Sequence, residues 1–174
     1  QYGIMSSRPR PFNAYSWVLV PDSSFVTSDI NGAAYGFGTF VVVGAGCKVA
    51  TSPDGVTWTQ ATSSANWAPR FTPQAVVYNE RMWVLGGYRS VGDSRLNDVW
   101  YSTDGITWTQ ATSSANWTVR NSFGALTFSN KMWIAGGSIG GGQNKNDVWY
   151  STNGITWTEA TSSANWAPRS AFAQ

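Results

Sequence analysis

The chain has 174 residues, and its 11 Lys and Arg against 9 Asp and Glu give a formal net charge of only +2. Charged residues make up 11% of the chain, against about a quarter in most globular proteins, which argues against a nucleic-acid groove because such grooves need clustered basic side chains. The sequence has no histidine and one cysteine, Cys47, and so excludes histidine-based catalysis, an internal disulfide and a thiolate metal cage.

Eleven tryptophans and 18 glycines indicate a turn-rich structure packed with aromatic side chains. The longest apolar run, residues 40–43, has the length of a strand and is far below the roughly 18 residues of a membrane helix, so we expect no membrane span. Low charge with abundant Ser, Thr, Asn and Trp favours an extracellular or cell-surface location. The chain starts with Gln1 rather than Met, which favours a processed form or part of a longer polypeptide.

A repeat of about fifty residues organises the chain. The segment 57–67 recurs unchanged at 107–117, and it recurs at 156–166 with Glu159 in place of Gln. Strand-containing units that repeat at this period are typical of β-propellers, in which each unit forms one blade.

In chain order, residues 1–30 match no repeat clearly, and residues 31–65 form a compact, degenerate unit that keeps the final hairpin. Residues 66–115 and 116–164 are two full units, and residues 165–174 match the first strand of a further unit. Each full unit opens with Trp-x-x-Arg, continues through a two-residue turn to a double glycine and a variable polar loop, and ends with Asn-Asp-Val-Trp-Tyr and a hairpin. Four short strands without helical periodicity predict an all-β propeller of four-stranded antiparallel blades, with about three and a half repeats in this chain.

The closing hairpins allow a prediction of register. Asp104 and Gly105 form a dipeptide typical of a two-residue type I′ turn, which places Tyr101 opposite Trp108 on the neighbouring strand. The third copy predicts the same pairing for its own tyrosine and tryptophan. We expect Trp108 and Trp157 to be buried at blade interfaces.

Two motifs give the chain a resemblance to a known family. A double glycine is followed at fixed spacing by Tyr and Trp in both full units, and this pattern resembles that of Kelch-repeat β-propellers. The motif residues are Gly86, Gly87, Tyr101, Trp108, Gly136, Gly137, Tyr150 and Trp157. The Ser-x-Asp-Gly-x-Thr-Trp hairpins also resemble shortened Asp boxes of sialidase-like propellers, in which the resemblance implies a structural role.

Two groups of residues are candidates for ligand contact. The first lies in the connections between blades and comprises Trp67, Arg70, Trp117, Arg120, Trp166 and Arg169. These residues either stack on sugars or peptides, or fill the space between blades. The second lies in the variable loops 88–96 and 138–145 and comprises Arg89, Asp93, Arg95, Gln143, Asn144 and Lys145. These are either contact residues or solvated spacers.

The sequence predicts no catalytic residue, no cofactor and no metal site. Asp98 and Asp147 are candidates either for calcium ligands or for caps at the start of a strand, and the absence of a clustered acidic loop favours caps. The resemblance to Kelch propellers includes the galactose-oxidase branch, but its copper site needs histidines that this chain lacks. A sialidase-like site needs a Tyr–Glu pair, and the chain has only two glutamates, Glu80 and Glu159.

The predicted function is therefore a non-catalytic, extracellular Kelch-like module that binds a protein or glycan through its loops and does not bind nucleic acid. One alternative is a structural subunit of a surface or filamentous assembly, and a second is part of a sialidase-like glycoside hydrolase. Propellers close with about 4–8 blades, so the incomplete final unit needs a partner. The alternatives are continuation in a longer chain, self-association of two copies to give about seven blades, or completion of a four-bladed ring by residues 1–30.

Overall fold

The computed structural model of the chain describes residues 30–171 and shows an all-β protein. Three antiparallel sheets follow one another along the chain, and each consists of four consecutive strands. The predicted fold class of four-stranded blades is confirmed.

The strand bounds show how closely the second and third sheets repeat one another. The first sheet contains β1 (Ile30–Gly36), β2 (Thr39–Gly44), β3 (Val49–Ser52) and β4 (Thr59–Thr62). The second sheet contains β5 (Gln74–Tyr78), β6 (Arg81–Arg89), β7 (Ser94–Ser102) and β8 (Thr109–Thr112). The third sheet contains β9 (Gly124–Phe128), β10 (Lys131–Gly140), β11 (Gln143–Ser151) and β12 (Thr158–Thr161).

A short 3₁₀ turn, Ala45–Cys47, joins β2 to β3 where the other two sheets have a long hairpin. Cys47 is buried in this turn, and its thiol donates a hydrogen bond to the carbonyl of Trp67 at 3.1 Å. Burial raises the pKa of this thiol, and the charge of Arg70 opposes that effect only in part. Between residues 30 and 171, no helix is long or apolar enough to cross a bilayer.

The first strands of the three sheets lie side by side, because β1 contacts β5 and β5 contacts β9. Two clusters of buried side chains fill the spaces between successive sheets. We call the space between the first and second sheets the first seam, and its core includes Val41, Val43, Trp67, Val84 and Trp108. We call the space between the second and third sheets the second seam, and its core includes Leu85, Trp117, Met132, Ile134 and Trp157.

The turn between the first two strands of each full unit has the predicted two residues. Asn79 and Glu80 join β5 to β6 with φ angles of 48° and 57°, and Tyr78 pairs with Arg81 on either side of them. Two successive left-handed residues define a type I′ turn, whose twist matches that of the flanking strands. The corresponding turn of the third sheet has the same conformation.

The closing hairpin differs from its prediction. Tyr101 pairs with Thr109 rather than with Trp108, so the connection from β7 to β8 is a six-residue loop and the predicted two-residue turn is wrong. Asp104 is not left-handed, and its carboxylate instead accepts backbone N–H bonds from residues 106 and 107, both at 2.8 Å. The Ser102 hydroxyl accepts a further bond from the backbone N–H of residue 105. These bonds stabilise a wider loop than a tight turn allows.

The wider loop places the tyrosine and the tryptophan in different seams. The rings of Tyr101 and Trp83 lie beside the second seam with their centroids 5.2 Å apart, whereas Trp108 is buried in the first seam. The third sheet repeats this separation, with Tyr150 beside Trp133. The predicted cross-strand Tyr–Trp pairs are therefore wrong. The predicted burial of Trp108 and Trp157 between sheets is confirmed.

The double glycines form bulges within long strands. Gly86 and Gly87 have φ angles of 51° and 112°, and the register between β6 and β7 shifts at this point. In the third sheet, a Cβ on Gly137 would lie 2.6 Å from the Cβ of Phe123. Glycine is therefore needed both for the backbone conformation and for the close approach of the incoming connection.

The variable segments are mostly strand rather than loop. β6 and β7 extend past the double glycine, and only residues 90–93 form the turn between them. The third sheet has a still shorter turn, at Gly141 and Gly142. Predicting loops over 88–96 and 138–145 was wrong because the bulge lets pairing resume beyond the glycines.

Candidate functional site

The Trp-x-x-Arg connections join successive sheets through buried ion pairs. The Arg70 guanidinium donates to both carboxylate oxygens of Asp98, at 2.6 and 2.8 Å, and to the carbonyl of Gly86 at 3.0 Å. Arg120 makes the matching bonds to Asp147, at 2.6 and 2.7 Å, and to a bulge glycine carbonyl at 2.8 Å. Arg70 is 3% exposed and Arg120 is fully buried. Bidentate pairing of this kind satisfies two charges that are otherwise costly to bury.

The two aspartates are therefore neither calcium ligands nor simple strand caps. Burial raises the pKa of Asp147, but hydrogen bonds from Arg120 and Trp149, together with the charge of Arg120, outweigh burial and lower the pKa overall. The carboxylate accepts the Trp149 indole N–H at 2.9 Å. Among the described residues, no group of three or more His, Cys, Asp or Glu side chains is arranged to hold a metal.

The tryptophans of the first two connections lie in the seams. Trp67 packs edge-on against Trp108, with ring centroids 4.3 Å apart, and Trp117 packs edge-on against Trp157 at 6.0 Å. Both Trp67 and Trp117 are buried. Their burial, like that of the adjacent arginines, favours the structural interpretation over ligand stacking.

The third copy of the connection has the same backbone but different surroundings. The backbone N–H of Arg169 donates to the carbonyl of Lys145, and its carbonyl accepts from Gly137, at 3.1 and 2.9 Å. Its guanidinium is exposed and lies 5.9 Å from the ring centroid of Trp166, which is partly buried. Within residues 30–171, Arg169 has no carboxylate partner.

The predicted loop residues lie along the two long hairpins, β6–β7 and β10–β11. Asp93 and Gln143 are exposed, and the partly buried members are Arg89, Arg95, Asn144 and Lys145. Of these six, Arg95 makes the contact that joins the hairpins. Its Nε donates to Asn121 at 3.2 Å, and its guanidinium lies so close to the Gly140 backbone that a Cβ there would meet Nη1 at 2.6 Å.

A depression of about 310 Å³ opens where the first strands of the three sheets, β1, β5 and β9, begin. Its polar lining includes Asn31, Thr72, Gln74 and Ser122. Asn121 connects the depression to the hairpins. Its side-chain amide donates to the Thr72 hydroxyl at 3.1 Å and accepts from Arg95. We call the hairpins and this depression together the loop face.

Sequence reasoning missed the residues of the depression. Thr72, Ser122 and Ala171 line it from equivalent positions, and all three have left-handed backbones with φ of 45°, 52° and 59°. Left-handed φ is unusual for a β-branched residue such as Thr72. The one available signal was their shared position, two residues after the arginine of each connection.

A second depression, of about 320 Å³, lies between the first and second sheets at the other end of β1. Glu80, Arg81 and Asp104 contribute to its lining. Hydrogen bonds from the backbone of Thr107 and Ile106, and then from Ser102, lower the pKa of Asp104. A glycosidase acid needs a raised pKa, so Asp104 is poorly suited to that role.

Comparison with known proteins assigns no family to the chain. It matches no protein-family model and no curated protein.

Proposed function

We propose that this protein is a non-catalytic binding module of the Kelch-like propeller type. It acts outside the cell or at the cell surface, and it binds a protein or glycan through the loop face. The observation that carries this proposal is the position of the polar depression beside two hairpins that Arg95 and Asn121 join into one surface.

The scaffold beneath the loop face consists of repeated connections, and the hairpins that project from it vary between repeats. Buried arginine–aspartate pairs fix the first two connections, whereas the two hairpin turns differ in length and sequence. Recognition residues usually lie on variable segments that a rigid scaffold positions. This division supports a binding role for the hairpins.

The chemistry of the loop face suits a neutral, hydroxyl- or amide-bearing ligand. Amide and hydroxyl side chains line the depression, and these groups both donate and accept hydrogen bonds. Tyr88 adds an aromatic surface, with the Arg95 guanidinium 5.5 Å from its ring centroid. Pockets that combine apolar walls with a few convergent polar groups are the usual form of ligand sites.

The Kelch-like part of the proposal draws on what the motif residues do. The double glycines form the bulges that receive each connection, and their carbonyls accept from the buried arginines. The motif tryptophans, Trp108 and Trp157, fill the seams. These roles are all structural, which agrees with a fold motif that carries no catalytic group.

Ligand binding is tested with the full chain on a glycan array and in pull-downs, followed by calorimetric titration of each ligand found. Arg95→Ala is expected to weaken binding about tenfold, through the loss of a charged hydrogen-bond donor, with little change in Tm. Arg81→Ala, in the second depression, is the matched control and is expected to bind normally. If Arg95→Ala binds normally and Arg81→Ala binds weakly, the ligand does not occupy the loop face.

A second candidate function is a structural subunit of a surface or filamentous assembly. The third sheet supports it, because Leu126 and Phe128 are 55% and 67% exposed on one face. Exposed apolar patches of this kind mark association surfaces. Ordered polymers of the purified chain in electron micrographs would favour this function over ligand binding.

The proposal also predicts that the chain catalyses no glycoside hydrolysis. Glu80 and Asp104 are the carboxylates of the second depression, so they are the residues to test. Sialidase turnover by the purified chain that disappears in Glu80→Gln would overturn the non-catalytic assignment and favour the hydrolase alternative.

A further inference from the structure

The second and third sheets carry equivalent aromatic faces with different exposure. In the second sheet this face carries Val76, Tyr78 and Trp83, all of which are buried against the third sheet. The equivalent residues of the third sheet include Leu126 and Phe128, which are 55% and 67% exposed. We call this face of the third sheet the open face, and it comprises Leu126, Phe128, Trp133 and Tyr150.

The connection beside the open face ends at Arg169, which has no carboxylate partner among residues 30–171. Arg70 and Arg120 each reach from one sheet into the next and pair there with an aspartate at 2.6 Å. Arg169 occupies the same position of the third repeat and is exposed. The equivalent arginine is buried and paired in two repeats and exposed in the third. This difference indicates that the position of Arg169 fits a further partner.

The backbone around Arg169 already has the geometry of a filled position. The backbone N–H of Arg120 donates to Leu96 and its carbonyl accepts from Gly87, both at 3.1 Å. Arg169 makes the same two bonds to the third sheet, at 3.1 and 2.9 Å. Little reorganisation is therefore needed before the guanidinium meets a carboxylate, which favours binding.

We propose that the open face and Arg169 form a docking site for one further four-stranded sheet of the same repeat type. The docked sheet carries the Asn-Asp-Val-Trp strand and the glycine bulge, so that its aspartate accepts from Arg169 as Asp147 accepts from Arg120. Its Asp-box tryptophan packs on the open face as Trp157 packs in the second seam. This inference is independent of ligand binding at the loop face.

Charge complementarity excludes the three sheets of a second copy as the occupant. In the first sheet, Lys48 stands one residue before Val49, where the second sheet has Asp98 before Val99. A docked first sheet would therefore set a lysine against Arg169. In the second and third sheets the aspartates are already paired within their own chain. A sheet that fits Arg169 must therefore carry an aspartate that is not already paired.

The test extends the full chain after Gln174 with a copy of its own residues 126–171, which continues the register because residues 165–174 align with 116–125. Modification of arginines by phenylglyoxal is followed by mass spectrometry. Arg169 is expected to react readily in the unextended chain. In the extended chain it is expected to be protected roughly tenfold or more, since modification then requires the added sheet to open.

A matched extension carries Asp147→Lys in the added copy only, and it is expected to restore the reactivity of Arg169. Arg70 and Arg120 serve as internal controls, because their continued protection shows that the first three sheets remain folded. Equal reactivity of Arg169 with and without the extension would overturn the proposal, as would protection that survives Asp147→Lys. Concentration-dependent dimers of the unextended chain with Arg169 protected would identify a second copy as the occupant and would also overturn it.

Discussion

Arg70, Arg120 and Arg169 occupy one position in three repeats but differ in what surrounds the guanidinium. The first two are buried against an aspartate and a glycine carbonyl, whereas the third is exposed. A buried ion pair adds little net stability over an apolar pair, but removal of one partner leaves a charge buried without compensation. The three arginines therefore form a matched series within one chain.

Arg120→Ala is expected to lower the free energy of unfolding by about 3–5 kcal/mol, because it leaves the Asp147 carboxylate buried and unpaired. Arg169→Ala is expected to change it by no more than about 0.5 kcal/mol, as is usual for an exposed side chain. Urea unfolding followed by tryptophan fluorescence measures both. Similar effects of the two substitutions would contradict the assignment of Arg120 to a buried pair.

The ion pairs show what a sequence reveals at the scale of single residues. The repetition of Trp-x-x-Arg and of Asn-Asp-Val-Trp was evident, and it pointed to structural roles. The pairing of Arg70 with Asp98 spans 28 positions and depends on a glycine bulge that turns one carbonyl toward the guanidinium. Neither the distance nor the bulge follows from the local sequence.

The closing loops show the same limit for elements. Asp-Gly and Asn-Gly lie between paired strands, as expected, but the side chains of Ser102 and Asp104 accept four backbone N–H bonds and widen the predicted two-residue turn into a six-residue loop. Asn153 accepts the two equivalent bonds in the third sheet, both at 2.9 Å. The two-residue turns at 79–80 and 129–130 were predicted correctly, and in both the flanking strands pair directly on either side of the turn.

Trp157→Ala is expected to destabilise the chain by about 3–5 kcal/mol, since the indole fills the second seam and its removal leaves a cavity. The control is Ile155→Ala, two residues away in the same loop, where the side chain is 54% exposed and little change is expected. Thermal and urea unfolding measure both variants. An unchanged Tm for Trp157→Ala would show that the loop does not place the indole in the seam.

At the scale of the molecule, the sequence predicted the sheets but not the depression between them. Asn31, Thr72 and Ser122 come from three different repeats, and they meet only because the first strands of the three sheets lie side by side. No local pattern distinguishes such residues from ordinary loop residues. The hairpin residues were easier to select from the sequence as candidates for ligand contact, because they vary between units whose other residues repeat.

The stability of the whole molecule against acid depends on carboxylates in the closing loops and in the buried ion pairs. Hydrogen bonds from the backbone of Thr57 and Val56, and then from Ser52, lower the pKa of Asp54 to about 2. The pKa values of Asp104 and Asp147 are lowered as well. A carboxyl whose pKa is lower in the folded chain than the ~3.9 of the unfolded chain contributes stability that is present above pH ~4 and lost as the pH falls through the folded value.

The free energy of unfolding is therefore expected to fall between about pH 4 and pH 2, while the absence of histidine removes the usual side-chain titration between pH 5 and 8. Asp54→Asn is expected to flatten this decline with little effect at pH 7, because Asn153 already accepts the equivalent bonds in the third sheet. Asn153→Asp is the reciprocal variant and should steepen the decline. Urea unfolding at a series of pH values measures all three chains. Parallel acid profiles would show that these loop carboxylates do not couple protonation to folding.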